Sequence, residues 1–132
     1  MRELVLDASV LVNWYHAEGE SDVEAARKLK AEYEAGDLLV FVPPLLHIEL
    51  INLAGRRWRF AEADLLELAR ALRNLRFTVQ QPDLANVARW TARGLTAYDA
   101  CYVALAEERR TTVVTADRQM LSVGGALAIA LA

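Results

Sequence analysis

Apolar and polar positions follow two different periods along this chain. Leu4-Val5-Leu6 is a short unbroken apolar run that stops at Asp7, and the apolar stretch that resumes after Ser9 and reaches Tyr15 has helical spacing. A strand followed by a helix is predicted. Ser21 with Glu24 three positions on has the form of a capping box, opening a helix whose Val23, Ala26, Leu29, Ala31 and Tyr33 supply an apolar face until Gly36 ends it. A second strand covers 38–42. Pro43-Pro44 closes it and suits the first turn of a helix over about 45–57, because proline's φ is already helical and its missing N–H is not needed there. An amphipathic helix follows over 61–75, then a strand over 77–79 that Pro82 breaks, a helix over 83–93 stopped by Gly94, and another over 96–110. Thr112-Val113-Val114-Thr115 is a fourth strand ending near Asp117; after a short helical turn and Gly124-Gly125, 126–130 is a fifth.

Strands that alternate with helices, and are apolar throughout rather than at every second position, predict a parallel sheet covered on both faces by right-handed crossovers. The fold class is α/β with a five-stranded parallel sheet, and no repeat, low-complexity tract or linker interrupts it. All of 1–132 reads as one domain, a length at which folding buries roughly two-thirds of the unfolded surface. A content of 55% hydrophobic and 25% charged residues with three prolines excludes a disordered, linker or fibrous chain. Cys101 alone excludes an internal disulfide framework and a cysteine-clustered zinc site, and Glu3 and Asp7 interrupt any signal-peptide core. A cytoplasmic protein with no membrane span is expected. The net charge of −3 does not suggest a polyanionic partner, yet thirteen of the fifteen basic residues are Arg, whose planar forks match phosphate oxygens.

The acids change the picture. Ligand sites in open parallel sheets form beyond the carboxyl ends of strands. Asp7 and Asp117 stand there, after the first and fourth strands. Glu49 lies in the helix after the second strand among Leu45, Leu46, Ile48, Leu50 and Leu53, an apolar setting for a charge, and Asp99 opens the helix leading to the fourth strand, between Leu95, Tyr98, Tyr102 and Val103. Four carboxylates gathered in a partly dry pocket need cations between them. An all-oxygen set without His or Cys selects Mg²⁺ or Mn²⁺ over zinc, and Mg²⁺ borrows phosphate oxygens from a substrate. Phosphodiester hydrolysis follows, the metal activating a water for in-line attack.

Each acid also has a local reading. Asp7 and Asp117 suit the N-caps of the helices after them, Thr96 to Asp99 has the form of a capping box, and Glu49 can point outward or pair with an Arg of the 56–59 cluster. Only the conjunction of the four carries the metal reading.

Four segments, VLDASVLVNW around Asp7, PPLLHIELINLA around Glu49, LTAYDACYVALAEE around Asp99 and VVTADRQML around Asp117, occur in the order and approximate spacing of one family. With them the chain resembles a PIN-domain ribonuclease of the VapC type, the toxin of bacterial and archaeal toxin–antitoxin pairs, over essentially its whole length. The resemblance implies a three-layer α/β/α PIN-like fold and an endoribonuclease dependent on Mg²⁺ or Mn²⁺. It makes Asp7, Glu49, Asp99 and Asp117 both catalytic residues and metal ligands, and implies products with a 5′-phosphate and a 3′-hydroxyl. It further implies homodimers, and an antitoxin whose C-terminal segment enters the acidic groove, in assemblies that extend to higher order.

Ser9 and Thr115 fall where the family often has a hydroxyl beside the metal, with capping as the alternative. Asn52, one turn after Glu49, matches a frequent family asparagine and is read either as a hydrogen-bonding support or as core packing. Thr96 either touches RNA or caps its own helix. Arg118 is a candidate phosphate contact, Arg56 and Arg57 either steer RNA or end a solvated helix, and Trp58 either stacks on an unpaired base or packs. Packing is favoured for Trp14 and Trp90. His16 and His47 lack a supporting pattern as general bases, and Cys101 reads as a buried, inert thiol.

Two rivals use the same acids. A receiver-like phospho-acceptor switch would bind Mg²⁺ in this pocket, but it resembles a mechanism needing a Lys beyond a late strand, and Lys28 and Lys30 lie in an early helix. A catalytically idle RNA-binding or dimerisation module is disfavoured by the complete acid set.

Overall fold

A computed structural model of the chain describes residues 1–16 and 22–132. The elements run β1 (Arg2–Leu6), α1 (Ala8–Tyr15), α2 (Val23–Glu34), β2 (Leu38–Val42), α3 (Leu45–Arg56), α4 (Glu62–Leu75), β3 (Thr78–Val79), α5 (Leu84–Ala92), α6 (Ala97–Arg109), β4 (Val113–Thr115), α7 (Arg118–Gly124) and β5 (Ala128–Ala130), with a 3₁₀ turn over Gly125–Leu127. The five strands are all parallel, in the order β3-β2-β1-β4-β5. From β1 the chain moves outward to β2 and β3, then returns to the other side for β4 and β5. Right-handed crossovers therefore place α1–α4 on one face and α5–α7 on the other, the expected three-layer α/β/α arrangement. The strand order reverses between β1 and β4, so their carboxyl ends flank the crevice in which such sheets hold ligands.

Burial accounts for the unbroken apolar strands. Val5, Leu6, Val40, Val42 and Val113 are wholly enclosed between the helical layers. α6 is buried at every residue from Ala100 to Ala106, which is why its pattern is apolar almost all round. Trp14 and Trp90 pack as favoured: the Trp14 Nε1–H donates to the Ala26 carbonyl at 2.8 Å, and buried Trp90 donates to Glu107 at 3.2 Å.

The periodicity locates every element, and the ends differ by a few residues. β1 starts at Arg2 because its ladder with β2 continues to the Arg2–Leu38 pair, which needs no apolar side chain. β3 is Thr78–Val79 alone; Phe77 instead sets its ring edge-on to Trp14 and Tyr33. Of the run 126–130, only Ala128–Ala130 pairs with β4. Ser21 of the expected capping box lies outside the described residues, and Asp22 stands at the N-cap of α2. Among the described residues no helix is long and apolar enough to cross a membrane.

Candidate active site

Asp7 follows the last residue of β1 and is only 4% exposed. Its N–H donates to the Val114 carbonyl at 3.3 Å, which lodges it between β1 and β4. Its Oδ1 accepts the Ser9 N–H at 2.8 Å and the Ser9 hydroxyl at 2.5 Å, and its Oδ2 accepts the Thr115 hydroxyl at 2.5 Å. Asp7 therefore caps α1, as its local reading expected, and lies within reach of the charge of Asp99. Both hydroxyls have a second bond: Thr115 Oγ1 accepts the Asp117 N–H at 2.9 Å, and Ser9 Oγ accepts the Ala116 N–H at 2.9 Å. Ser9 and Thr115 thus pin the turn after β1 to the turn after β4. Asp117 caps α7, its Oδ1 accepting the Met120 N–H at 2.8 Å.

Glu49, half-buried on α3, accepts a 2.5 Å hydrogen bond from the hydroxyl of Tyr102 on α6. Burial, and then the negative charge of Glu49, push the Tyr102 hydroxyl far above its ordinary pKa, so it remains a donor. Asp99 sits in the first turn of α6, and its N–H donates to Thr96 Oγ1 at 3.1 Å. Thr96 is therefore the cap of α6, as its local reading expected.

The acids sense one another. Burial is the largest cause raising the Asp7 carboxyl above the usual range; Ser9 and Thr115 oppose it, and Asp99 adds repulsion. Glu49 is raised by burial and by Asp99 and Asp7 against the Tyr102 bond, and Asp99 is raised by burial and by Asp117 against Thr96. Among the described residues, no three His, Cys, Asp or Glu side chains close into a metal-coordinating group. A divalent cation relieves that repulsion, and an all-carboxylate donor set fits a hard ion of the Mg²⁺ or Mn²⁺ kind.

Asn52 is exposed, which rules out the core-packing alternative; the residue hydrogen-bonded to Glu49 is Tyr102. Asn52 shares with Glu49, Leu45, Ile48 and Tyr98 an open cavity of about 390 Å³. Arg56, Arg57 and Arg118 are exposed, while Trp58 is half-buried with its ring stacked on His16 at 4.4 Å. His47 is half-buried, and burial pushes its pKa down. Cys101 is buried, and burial followed by Glu49 raises its thiol, which suits an inert role. Sequence reasoning missed two polar residues. Tyr102 lies three positions after Asp99, on the same helical face, and Asn13 interrupts an apolar run yet is 5% exposed.

A family model of the PIN domain matches residues 4–126, a span that contains all four acids. The chain belongs to the PIN-domain family. Over 85 residues it is 34% identical to Exonuclease VapC9 of Pyrobaculum aerophilum, which is 59% of this chain. The match spans 64% of that relative, less than two-thirds of its length. The VapC-type resemblance read from the acidic segments agrees with this relative. Among solved structures, PAE2754 from Pyrobaculum aerophilum superposes with a TM-score of 0.70 and 29% identity, over 98% of this chain and 90% of that one. FitAB, solved bound to an IR36 DNA fragment, superposes with a TM-score of 0.69 over 97% of this PIN chain and 94% of that chain; at 17% identity it is alike in fold.

Proposed function

We propose that this chain, the whole of 1–132 acting as one PIN domain, is a Mg²⁺- or Mn²⁺-dependent endoribonuclease. It acts as the cytoplasmic toxin of a type II toxin–antitoxin pair and hydrolyses RNA phosphodiester bonds. One observation carries this reading: Asp7 after β1, Glu49 on α3, Asp99 on α6 and Asp117 after β4 lie near enough beside the strand-order reversal for repulsion to act between Asp7 and Asp99, between Glu49 and both of them, and between Asp99 and Asp117. Asp7, Glu49, Asp99 and Asp117 would hold the ion. When bound, such an ion supplies Lewis acidity toward phosphate oxygens and makes water a competent nucleophile near neutral pH.

The remaining work falls to the chain's own groups. Ser9 and Thr115 hold the Asp7 carboxylate in one orientation, and Tyr102 does the same for Glu49. Exposed Arg118, beside Asp117, and Arg56 and Arg57 at the end of α3 meet RNA phosphates, with Thr96 near the sugar–phosphate path. A homodimer, and an antitoxin segment carrying cations into the acidic groove, complete the assembly. The receiver-like alternative has no comparable support, since Lys28 and Lys30 both lie on α2.

Circular and linear single-stranded RNA incubated with purified protein test the reading. With Mg²⁺ or Mn²⁺ both are cut; with chelator neither is. Asp7→Asn keeps the shape and removes one ligand charge, so cleavage falls by at least about 100-fold while the circular dichroism spectrum is unchanged. An equally active Asp7→Asn protein overturns the assignment. Cutting of linear RNA alone would make the chain an exonuclease, the activity in the name of its curated relative.

A further inference from the structure

Of the chain's three tryptophans, four tyrosines and three phenylalanines, all among the described residues, Tyr98 alone is exposed. It is 67% exposed, and so is Ile48. Each immediately precedes an acid of the proposed metal set: Asp99 in the first turn of α6, and Glu49 on α3. Both line the open cavity of about 390 Å³, together with Leu45, Glu49 and Asn52. Leu45, Ile48, Glu49 and Asn52 recur at steps of three and four, which sets them in one stripe along α3, and Tyr98 joins them from α6. Two large apolar side chains left in water around one cavity add little to the core, and a patch of that kind marks a surface that something covers.

The Tyr98 ring pairs with no other aromatic group among the described residues, whereas Trp58 is already set against His16 and Phe60. An open phenol ring, an aliphatic wall from Ile48 and Leu45, and the exposed Asn52 amide fit a flat heteroaromatic ring with hydrogen-bonding groups on its edge. Glu49 in the wall decides the class of occupant. An apolar protein surface laid here would strip water from a half-buried carboxylate and return no charge partner. A nucleotide instead seats its base on the ring while its phosphate meets the ion that Glu49 would hold. We propose that this cavity binds one unpaired RNA base next to the scissile phosphate, stacked on Tyr98 against Ile48, with Asn52 bonded to the base edge. The proposal rests on the RNA-cleaving reading above and assigns it a base subsite. Stacking accepts any π-face, so Tyr98 supplies affinity and the Asn52 amide supplies choice among bases.

The test uses Asp7→Asn protein with Mg²⁺, which suppresses turnover, and reads the binding of fluorescein-labelled single-stranded RNA hexamers by anisotropy. One base at a time is removed to leave an abasic ribose. Removal at one position should weaken binding about tenfold. That penalty should vanish when Tyr98→Ala is added and persist with Tyr98→Phe, which keeps the ring. Tyr98 and Ile48 are exposed, so replacing either leaves the core intact. Asn52→Ala should level the affinities of the four bases at that position, and an unchanged base preference overturns the role of Asn52. Equal loss at every position, a penalty that survives Tyr98→Ala, or no binding of any hexamer overturns the subsite. So does a sedimentation result in which Tyr98→Ala or Ile48→Ala turns a dimer into monomers while the abasic penalty stays; the face is then an interface between copies of this chain. Wild-type cleavage is scored separately: a Tyr98-dependent penalty without cutting defeats the nuclease reading alone, and cutting without that penalty defeats the subsite alone.

Discussion

Tyr102 completes the buried face of α6 with its ring and holds Glu49 with its hydroxyl, so one side chain serves both the core and the acids. Tyr102→Phe keeps the ring and frees Glu49. We expect Mn²⁺ affinity to fall about 10- to 100-fold by calorimetry, with the fold retained, since groups that orient metal ligands carry effects of that size. Thr115 is wholly buried and serves two partners, the Asp7 carboxylate and the Asp117 N–H. Thr115→Val matches its shape and strands both partners, at a cost of about 1–3 kcal/mol in denaturant unfolding; Thr115→Ser should recover most of it. Thr115 was legible as a hydroxyl near the acids and Asp117 as its near neighbour, but its hydrogen bond to Asp7 was not, because Asp7 comes beside it only when β1 and β4 pair.

Helix starts carry three of the four acids of the proposed site, Asp7, Asp99 and Asp117. Asp7, Thr96 and Asp117 cap α1, α6 and α7, and the backbone N–H groups that open those helices are the positive ends that favour nearby carboxylates. Capping and the proposed site roles, which compete when a residue is read alone, are compatible here because strand ends and helix starts meet on the same rim of the sheet. Thr96→Ala removes the α6 cap and loosens the turn that bears Asp99. It should cost about 1 kcal/mol, which lowers Tm by about 4 °C in a domain of this size, and Thr96→Ser should restore it. Element positions were readable from apolar spacing and stop residues. Their ends were not, since a ladder bond such as that joining Arg2 to Leu38 is indifferent to side-chain polarity.

Across the molecule, the buried carboxyls link stability to pH, and the proposed ion would act on the same groups. Asp7, Glu49 and Asp99 have folded-state pKa values above the ordinary range, so between that range and the raised values the folded chain holds more protons than the unfolded one. Their contribution is therefore fully present at low pH and lost as pH rises through the raised values. In chelator, Tm of the wild type relative to Asp7→Asn should fall as pH increases from about 4 upward. Added Mg²⁺ or Mn²⁺ should recover it, more strongly at the higher pH. A thermal-shift series with and without the ion checks this; a difference that is flat or rises with pH contradicts the upward shifts.

Chain-local information was enough for the strands and helices, the apolar faces and the placing of four acids at strand ends or on helices beside them. A period of two or 3.6 residues, a proline, a glycine or a cap acts through near neighbours in the chain, and these are written in order. Strand order was decided by simultaneous burial of all the elements, and only that order sets β4 beside β1 and lets Thr115 reach Asp7 across 108 positions. The same folding together turned Tyr102 onto Glu49, left Asn52 outside and enclosed Asn13. Pairings of that kind depend on which surfaces exclude water at once, a property no single segment possesses.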